Sequence, residues 1–427
     1  KSDKIKDQIK NISSAISSRG PDGTNIFINE NIALSHNRLA ILDRNSKLSI
    51  QPVFDQKKRY AIIHNGEIYN YKIIKKELIN LGHKFVSETD TEIILNSFIQ
   101  WGNDCVYKFE GMWAFAIWDN KNKSLFLSRD EFGIKPLYYA NYNDNFYFSS
   151  EIKGLKNIKI LSEINKSILK RFEFNEYQEE TIYKNIFNLL PGHSIIVQNK
   201  KINKFKWRKE KNQNIDDIKL DSIKKFDLLL EESCFSHTIG ERSIALSLSG
   251  GLDSTALFYK LNHLGVKVNA FSTIYENTYN DESKYLDIIE RDLNIKIERN
   301  IITKEDLNSK NFIESIKALD LIWSEPCIGQ WLHYKKINEK GFNVCIEGHG
   351  ADEILGGYDY HFDEFIKDSF KKNIFFNLKN LNKEKKIIFS SPDDNSFDQS
   401  KFNLLNSFYK DFKNALRNKF ENTKFFN

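Results

Sequence analysis

The sequence has little methionine and cysteine, and it has no long apolar segment. Of its 427 residues only Met112 is methionine, so the chain as given has no initiator and we expect further residues before Lys1. No run of about 18 apolar residues occurs, which argues against a membrane-spanning helix. The start of the chain is lysine-rich and helix-like, and it lacks the pattern of a secretory signal peptide.

The four cysteines are scattered and form no C-x-x-C pair; they are Cys105, Cys234, Cys327 and Cys345. This spacing predicts neither a disulfide framework nor a structural zinc site. A reduced, cytoplasmic protein is the simplest interpretation.

The chain also lacks a strong charge of either sign. Its net charge of +5 reflects a mild, dispersed lysine excess, whereas a nucleic-acid site needs basic residues clustered on one face. With 40% hydrophobic and 28% charged residues the composition is that of a globular protein. The length is sufficient for two or three domains.

The clearest chemical signal is S-G-G-L-D-S at residues 249–254, between an apolar strand-like run and a helical pattern. Glycines at such a turn let N–H groups approach a phosphate, and the helix N-terminus adds positive potential. Asp253 would act through a divalent cation. The pattern predicts a nucleotide-polyphosphate site with a metal, although an ordinary βα turn is the alternative. The Walker pattern G-x-x-x-x-G-K-[ST] is absent.

A second glycine-rich loop, E-G-H-G-A-D-E-I-L-G-G-Y, occupies residues 347–358. Its Asp352 complements Asp253, because two carboxylates facing one polyphosphate suit Mg²⁺. A glycine-rich surface loop is the alternative interpretation.

Strands and helices alternate around these two loops. Helical patterns occur at 215–236, 254–264, 285–293, 312–319 and 330–340, and strand patterns precede Ser249 and occupy 267–273, 296–302 and 343–347. The alternation predicts a doubly wound parallel sheet with ligands at the carboxyl ends of its strands. The loops at Ser249 and Gly348 should therefore meet in one crevice.

The first half of the sequence predicts an α+β domain of packed sheets. Short β-type runs occur at 25–28, 32–35, 60–64, 113–118, 124–128, 137–140 and 146–149. Apolar residues at helical spacing predict helices at 71–81 and 91–101. Strands followed by helices and then by more strands are typical of layered sheets.

Polar segments stand at the ends of these predicted elements: RGPD (19–22), HNRL (36–39), NGEIYN (65–70) and SETDTE (87–92). Each alone has an ordinary structural explanation. Arg38 could form a surface ion pair, Asn65 and Gly66 a turn, and Thr89 or Asp90 a helix N-cap.

Together these segments resemble the class II glutamine amidotransferase domain, also called the N-terminal-nucleophile glutaminase domain. The match covers residues 19–155 through RGPD, HNRLAILD, NGEIYN, TDTEIIL, GMWAFAIWD, SRDEFGIKPLYY and SSEIKGL. The resemblance implies an α+β domain of layered sheets, which we assign to residues 1–205.

The resemblance also implies how free glutamine would be gripped. Arg38 would hold the α-carboxylate, and Glu67 and Asp90 the α-ammonium. The Asn65 side chain and the Gly66 N–H would bind glutamine and form the oxyanion hole. The family's nucleophile is an N-terminal Cys with its own α-amino group as base. None of the four cysteines is terminal, so we expect that Cys upstream of Lys1.

Residues 206–360 resemble the synthetase domain of asparagine synthetases, an ATP-pyrophosphatase fold, through SGGLDS, residues 269–273 and GADEILGGY. We assign residues 206–427 to this domain and expect its C-terminus to be incomplete, because the family's later motifs are missing. The resemblance implies that ATP adenylates a substrate carboxylate and that ammonia from glutamine then displaces AMP.

The same resemblance places ATP and pyrophosphate at Ser247, Ser249, Gly250, Gly251, Asp253, Ser254, Thr273, Glu347 and Gly348, with Mg²⁺ on Asp253 and Asp352. Ser247 stands at a position that is usually apolar in the family. His349, in reach of the substrate or the acyl-adenylate, stands where asparagine synthetases usually have Glu. This exchange removes a partner for an α-ammonium group, so the acceptor stays open between aspartate and another acid, such as a sugar uronic acid. A His349 without substrate contact is the alternative.

The leading hypothesis is a glutamine-dependent amide ligase of asparagine biosynthesis that uses ATP and Mg²⁺ on a small carboxylate acceptor. A non-catalytic relative that binds glutamine or nucleotide is the alternative from another class. An RNA-thiolating enzyme would need paired cysteines or a basic appendage, and neither is visible. The sequence is compatible with a homodimer and indicates no nucleic-acid or membrane partner.

Overall fold

The computed structural model describes residues 2–156, 158, 161–171, 178–209, 220–278, 281–319, 328–356, 358 and 361. The chain forms two compact units, Lys1–Gly348 and His349–Asn427. The predicted domain boundary at 205/206 lies within the first unit and stays a prediction. The start of the helix predicted at 215–236 lies outside the described residues, and so does the segment 402–420, where the sequence also predicts a helix.

The first part of the chain is rich in strands. These are β1 Thr24–Ile28, β2 Ala33–Asn37, β3 Val53–Phe54, β4 Tyr60–Ile68, β5 Gly111–Asp119, β6 Ser124–Arg129, β7 Tyr138–Tyr142, β8 Asn145–Ser149, β9 Phe187–Asn188, β10 His193–Gln198 and β11 Lys201–Lys206. The helices are α1 Ser2–Ala15, α2 Tyr71–Asn80, α3 Asp90–Trp101, α4 Ile152–Lys156 and α5 Lys166–Arg171. The predicted α+β class is confirmed.

A six-stranded antiparallel sheet, in the order β11-β10-β6-β5-β4-β3, forms the centre of this part. Side chains alternate along each strand, so the sheet buries two faces. One face packs Ile62 and Phe115 against Leu78 of α2 and Ile94 of α3. The opposite face packs against Leu34 of β2 and residues of the three-stranded sheet β8-β7-β9. The functional cavity described below opens on this second face.

Strand β4 is longer than the sequence predicts. The strand predicted at 60–64 extends further, because β4 continues to Ile68, and the alternative interpretation of Asn65 and Gly66 as a turn is wrong. The neighbouring β5 pairs with all nine residues of β4 and places Asn65 opposite Ala114. The ladder therefore holds polar residues that look like a turn in an extended conformation.

Helix α3 begins as its sequence predicts. The Thr89 side chain accepts a hydrogen bond from the Glu92 N–H, and Asp90 and Glu92 lie in the first turn, where carboxylates complement the helix dipole. Thr89 is thus the N-cap, and the cap fixes Asp90 at the start of the helix.

The second part of the first unit contains one parallel sheet. Its strands are β12 Ile244–Ser247, β13 Val268–Ile274, β14 Glu298–Ile301 and β15 Val344–Ile346, in the order β14-β13-β12-β15. The helices are α6 Leu220–Ser236, α7 Leu252–His263, α8 Ser283–Leu293, α9 Ser309–Leu319 and α10 Ile328–Glu339, and the second unit contributes α11 Ala351–Leu355.

Helices cover both faces of this sheet. Leu246 packs against Phe258 of α7 and Leu286 of α8, whereas Ala245 packs against Ile337 of α10 on the opposite side. The predicted doubly wound parallel sheet is confirmed. Within the described part of the chain, no helix combines the length and apolar character needed to cross a bilayer.

Candidate active site

The residues predicted to grip glutamine line one cavity of about 780 Å³. Arg38 follows β2, Asn65, Gly66 and Glu67 lie on β4, and Asp90 opens α3. Segments that are distant in the sequence thus bring all five predicted residues together. The individual roles of these residues stay predictions.

Asn65 and Gly66 have the features expected of an oxyanion hole. Asn65 Nδ2 is buried and has no hydrogen-bond partner among the described residues. Leaving a buried donor unpaired costs about 1–3 kcal/mol, and a ligand oxygen would remove that cost. Gly66 has a φ of +151°, and a methyl group there would overlap the Met112 carbonyl oxygen and lie 2.8 Å from the Trp113 Cα. Only glycine fits this position of β4.

The Arg38 guanidinium is held from one side by neutral acceptors. Its Nη2 donates to the Asp43 carbonyl oxygen at 3.0 Å and to the Ser49 hydroxyl at 2.5 Å. Within the described residues, no carboxylate forms an ion pair with Arg38. Since a guanidinium carries five N–H donors, Arg38 retains donors for the carboxylate of a ligand.

Glu67 and Asp90 are two carboxyl groups inside the cavity. Burial, with the Asp90 charge second, raises the pKa of Glu67 to about 7. Burial likewise raises the pKa of Asp90 to about 6, although the Ile68 N–H, which donates to Asp90 Oδ2 at 3.0 Å, opposes this shift. A ligand ammonium between the two groups would favour their ionised forms.

His64, which the sequence analysis did not single out, lies beside Asp90. Its Nδ1 is 3.3 Å from the Thr91 hydroxyl and 3.9 Å from the Asp90 carboxylate, and its Nε2 has no partner among the described residues. Burial, followed by the charge of Lys135, lowers the pKa of His64 to about 3. His64 is therefore neutral and does not supply Asp90 with a counter-charge. The sequence signal that could have pointed to His64 was a histidine at the end of an apolar strand run.

Lys135 is a second cavity residue that the sequence analysis missed. Its N–H donates to the buried Asp130 carboxylate at 2.9 Å, and its carbonyl oxygen accepts from Arg129 Nε at 2.8 Å, so its backbone is fixed on both sides. Its side chain lines the cavity, and no described residue hydrogen-bonds or ion-pairs with its ammonium group. Burial, then the charge of Arg19, lowers the pKa of Lys135, whereas Glu67 raises it. The sequence signal that could have identified Lys135 was its place in the SRDEFGIKPLYY motif.

The S-G-G-L-D-S turn connects β12 to α7, as predicted. Ser254 Oγ accepts from the Ser249 N–H at 3.0 Å, and Ser249 Oγ accepts from the Gly251 N–H at 3.1 Å. The Gly250 N–H donates to the Glu282 carboxylate at 3.1 Å. A side-chain anion thus already occupies one N–H of the turn, in keeping with the positive potential of a helix N-terminus.

The loop after β15 lies against this turn. Strands β12 and β15 are parallel neighbours, and a methyl group on Gly348 would lie 3.2 Å from the Ser254 backbone nitrogen and 3.3 Å from the Asp253 Cβ. The prediction that the loops at Ser249 and Gly348 meet is confirmed. Glu347, just before Gly348, accepts a hydrogen bond from the Tyr334 hydroxyl at 2.7 Å.

Ser247 and Thr273, both predicted near the nucleotide, are joined by a histidine that the sequence analysis did not single out. His333 Nε2 is 2.8 Å from Ser247 Oγ, and its Nδ1 is 3.0 Å from Thr273 Oγ1. His333 lies on α10 and is buried. No local motif pointed to it, because its partners are 86 and 60 residues away in the chain.

His349 and Asp352 belong to the second unit. Asp352 lies in the first turn of α11, and His349 precedes Gly350, the N-cap of that helix. Among the described residues, no group of three or more His, Cys, Asp or Glu could hold a metal ion. Mg²⁺ commonly takes one or two protein carboxylates and completes its shell with phosphate oxygens and water. Asp253 and Asp352 stay the predicted Mg²⁺ ligands.

A contact beside Arg38 joins the glutamine site to the segment before β12. The Glu241 N–H donates to the Ile41 carbonyl oxygen at 3.0 Å, and Arg242 Nε donates to the Ala40 carbonyl oxygen at 2.7 Å. Arg242 also forms an ion pair with Asp22. The Glu241 carboxylate accepts from the Asp43 N–H at 3.1 Å, and the Asp43 carbonyl is the group that holds Arg38. We call this set the 40–43/241–242 contact.

Two family descriptions match this chain. The family described as "Glutamine amidotransferase domain" matches residues 1–208, and the family described as "Asparagine synthase" matches residues 225–422. Asparagine synthetase [glutamine-hydrolyzing] 3 of Bacillus subtilis is 28% identical over 86% of this chain and 62% of its own length. A Methanocaldococcus jannaschii protein, provisionally named a glutamine-hydrolysing asparagine synthetase, is 33% identical over 86% of this chain and 76% of its own length.

Among solved structures, a glutamine phosphoribosylpyrophosphate amidotransferase from B. subtilis aligns with a TM-score of 0.37 and 15% identity, over 67% of this chain and 68% of that chain. The present chain spans less than two thirds of the length of the B. subtilis asparagine synthetase that it matches.

Proposed function

The chain belongs to the asparagine synthase family, with a glutamine amidotransferase domain in front, and on this premise we propose that it is a glutamine-dependent, ATP-consuming amide ligase. The observation that carries the proposal is the cavity in which Arg38, Asn65, Gly66, Glu67 and Asp90 converge. A cation, a pair of acids and an unpaired amide donor match the three polar parts of a free glutamine molecule.

In the glutaminase step, Arg38 receives the α-carboxylate of glutamine, and Glu67 and Asp90 receive its α-ammonium group. The N-terminal thiol that the family resemblance implies would attack the side-chain amide carbon and pass its proton to the adjacent α-amino group. The amide oxygen gains negative charge and is stabilised by Asn65 Nδ2 and the Gly66 N–H. The C–N bond then breaks, the leaving nitrogen takes that proton back from the α-amino group and departs as ammonia, and water hydrolyses the thioester to glutamate and the free thiol. None of the three described cysteines lines the cavity.

In the synthetase step, an oxygen of the acceptor carboxylate attacks the α-phosphorus of ATP, and pyrophosphate leaves. Ammonia next attacks the acyl carbon, and AMP leaves with the electron pair of the broken C–O bond. The turn at 249–254 and the loop at Gly348 would hold the pyrophosphate, with Ser247, Thr273 and Glu347 nearby. Mg²⁺ on Asp253 and Asp352 would neutralise phosphate charge.

The acceptor is a small carboxylate, with aspartate as the first candidate. His349 favours a second candidate, because a neutral or weakly basic imidazole is a poor partner for the α-ammonium group of aspartate. A sugar uronic acid has a carboxylate and no ammonium group, and it would not need the missing acid. We place the reaction in the cytoplasm, where the three described free cysteines would stay reduced.

An amide-product screen on the full-length protein tests the proposal. The enzyme is supplied with ATP, Mg²⁺, amide-¹⁵N-labelled glutamine and either aspartate or one of a panel of uronic acids. We expect one acceptor to gain ¹⁵N and to release pyrophosphate in equal amount. Asp253→Asn is the matched variant, and it should lose acceptor-dependent pyrophosphate release while glutamine hydrolysis stays measurable.

Two results would count against this proposal. Glutamine binding with neither amide nor pyrophosphate formed would identify a non-catalytic relative instead. Full ligase turnover by Asp253→Asn would remove the metal assignment.

A further inference from the structure

Glu282 places a carboxylate on the turn that is predicted to hold phosphates. Its Oε2 accepts a hydrogen bond from the Gly250 N–H at 3.1 Å. Within the described part of the chain, Glu282 forms no ion pair, and its carboxylate has no second hydrogen-bond donor. The groups that face this negative charge are therefore the N–H of the turn and the positive potential at the start of α7.

The backbone of Glu282 is fixed beside the turn because the start of α8 packs against Gly250. A methyl group on Gly250 would lie 2.8 Å from the Tyr285 Cβ and 3.2 Å from the Glu282 Cβ. Glu282 is the N-cap residue of α8, and its carbonyl oxygen accepts from the N–H groups of Tyr285 and Leu286 at 3.0 and 3.2 Å. The missing side chain of Gly250 thus gives room to α8, and rotation of the Glu282 side chain is enough to remove the carboxylate from the turn.

A pyrophosphate group in this turn would meet the Glu282 carboxylate. The Gly250 N–H has one hydrogen and cannot serve both anions, and two like charges about 4 Å apart repel more strongly near a protein surface than in bulk water. The N–H groups of Ser249 and Gly251 are bonded instead to the hydroxyls of Ser254 and Ser249, which are neutral and can also donate to a phosphate. Of the side chains bonded to the turn, Glu282 is therefore the one that must leave.

We propose that Glu282 is an internal competitor of pyrophosphate at the phosphate turn. Its carboxylate holds the Gly250 N–H when the turn is empty, rotates away when the phosphates of ATP enter, and returns when pyrophosphate leaves. Glu282 thereby determines specificity, because only a ligand that makes several phosphate contacts can displace it. The inference rests on the proposed function, because it assumes that ATP binds at the 249–254 turn.

Equilibrium binding to the full-length protein tests the inference with three probes, pyrophosphate, ATP and adenosine, each with and without Mg²⁺. Glu282→Gln removes the charge and keeps the shape of the side chain. It should bind pyrophosphate and ATP about tenfold more tightly than the wild type, because a competing anion is gone, whereas adenosine binding should stay the same. Glu282→Ala, which also removes the acceptor for the Gly250 N–H, should show the same gain. Glu339→Gln is the matched control, because it makes the same change of charge at the exposed end of α10.

Tighter binding is a result that a merely structural role of Glu282 would not produce. Pyrophosphate binding that is unchanged or weaker in both Glu282 variants, with wild-type thermal unfolding, would overturn the inference and leave the proposed function intact. Weaker binding confined to the presence of Mg²⁺ would also overturn it and identify Glu282 as a metal ligand. A wild type that binds neither ATP nor pyrophosphate would overturn the proposed function itself.

Discussion

The amide of Asn65 and the ammonium of Lys135 have in common that neither finds a hydrogen-bond partner among the described residues. Polar groups inside folded proteins are nearly always paired, so the buried and unpaired Asn65 Nδ2 on this cavity points to a ligand. The sequence identified Asn65 through its motif. The sequence did not identify Lys135. The backbone of Lys135 is held in place by two buried side chains, Arg129 and Asp130, and the sequence does not show these contacts.

Arg38 provides the simplest test of the glutamine site. Replacing it with alanine removes the cation for the α-carboxylate, so we expect the KM for glutamine to rise by about tenfold to a hundredfold. Amide formation from added ammonia should be retained, because it bypasses this cavity. Steady-state assays with glutamine and with ammonium salts check the prediction, and Arg38→Lys is the charge-conserving control. An equal fall of both activities would mean that Arg38 only supports the Asp43 loop.

Glutamine affinity should also depend on pH through Glu67 and Asp90. Their pKa values of about 7 and about 6 lie above the ordinary 4.5 and 3.8, so ionising them in the empty cavity costs stability as the pH rises towards 7. A bound α-ammonium group stabilises the ionised forms. Glutamine binding should therefore strengthen as the pH rises through about 6 and 7, and calorimetric titration with glutamine from about pH 5.5 to 8.5 measures this.

Lys135 should set the midpoint of that pH dependence. Its positive charge lowers the pKa of Glu67, so Lys135→Met should move the midpoint to higher pH, whereas Lys135→Arg should leave it in place. The groups that face Glu67 or Lys135 from other parts of the site are Asp90, Tyr69, Asp130, Arg19 and His64, and all stay unchanged in these variants. The same midpoint in both variants would show that Lys135 does not act on Glu67.

At the scale of secondary-structure elements, the sequence was most informative where apolar periodicity was strong. Helices α3 and α7 and strands β5 and β13 lie within one or two residues of their predicted bounds, and β12 lies before Ser249 as predicted. The predicted strand β4 ended too early, because its polar end resembles a turn. Only the pairing of β4 with β5 shows that the strand continues. Strands β10 and β11 were not predicted. The lysine-rich β11 has little buried surface, because it is the edge of its sheet.

Gly66 links the shape of β4 to catalysis. Gly66→Ala would force a Cβ into the β5 backbone at a φ of +151°, and we expect it to cost about 2–4 kcal/mol of stability and to abolish glutaminase activity. Gly82→Ala is a matched control: its φ is +93°, but a Cβ there meets nothing within 4 Å, so only about 1 kcal/mol should be lost. Thermal unfolding and glutaminase assays of both variants test this. Wild-type glutamine hydrolysis by Gly66→Ala would contradict it.

At the scale of the whole molecule, sequence reasoning identified two sites but little of what supports them. Parallel pairing brings the loops at Ser249 and Gly348 together, and the rule that ligands bind at the carboxyl ends of strands was enough to predict this. His333, in contrast, reaches its partners only through the packing of α10 on the sheet. The contact of Arg242 with Ala40 likewise joins residues 202 positions apart, and Arg242 belongs to none of the motifs singled out in the sequence.

The 40–43/241–242 contact should couple the two reactions. It connects Arg38, through the Asp43 backbone, to the segment that continues into β12 and the phosphate turn. Arg242→Ala removes the ion pair with Asp22 and a hydrogen bond to Ala40. We expect glutaminase activity and ammonia-dependent ligation to persist, while the amide formed per glutamine hydrolysed falls by about fivefold or more.

The measurement is the ratio of labelled amide to glutamate at saturating substrates. Lys340→Ala is the control, because it also breaks one ion pair, a 2.7 Å contact with Glu298 on the edge strand β14. If Arg242→Ala kept the wild-type ratio, the contact would serve only to hold the chain together. If Arg242→Ala abolished both partial activities, the contact would be required for folding. A selective fall of the ratio is the result that communication through this contact requires, because each site would still work by itself.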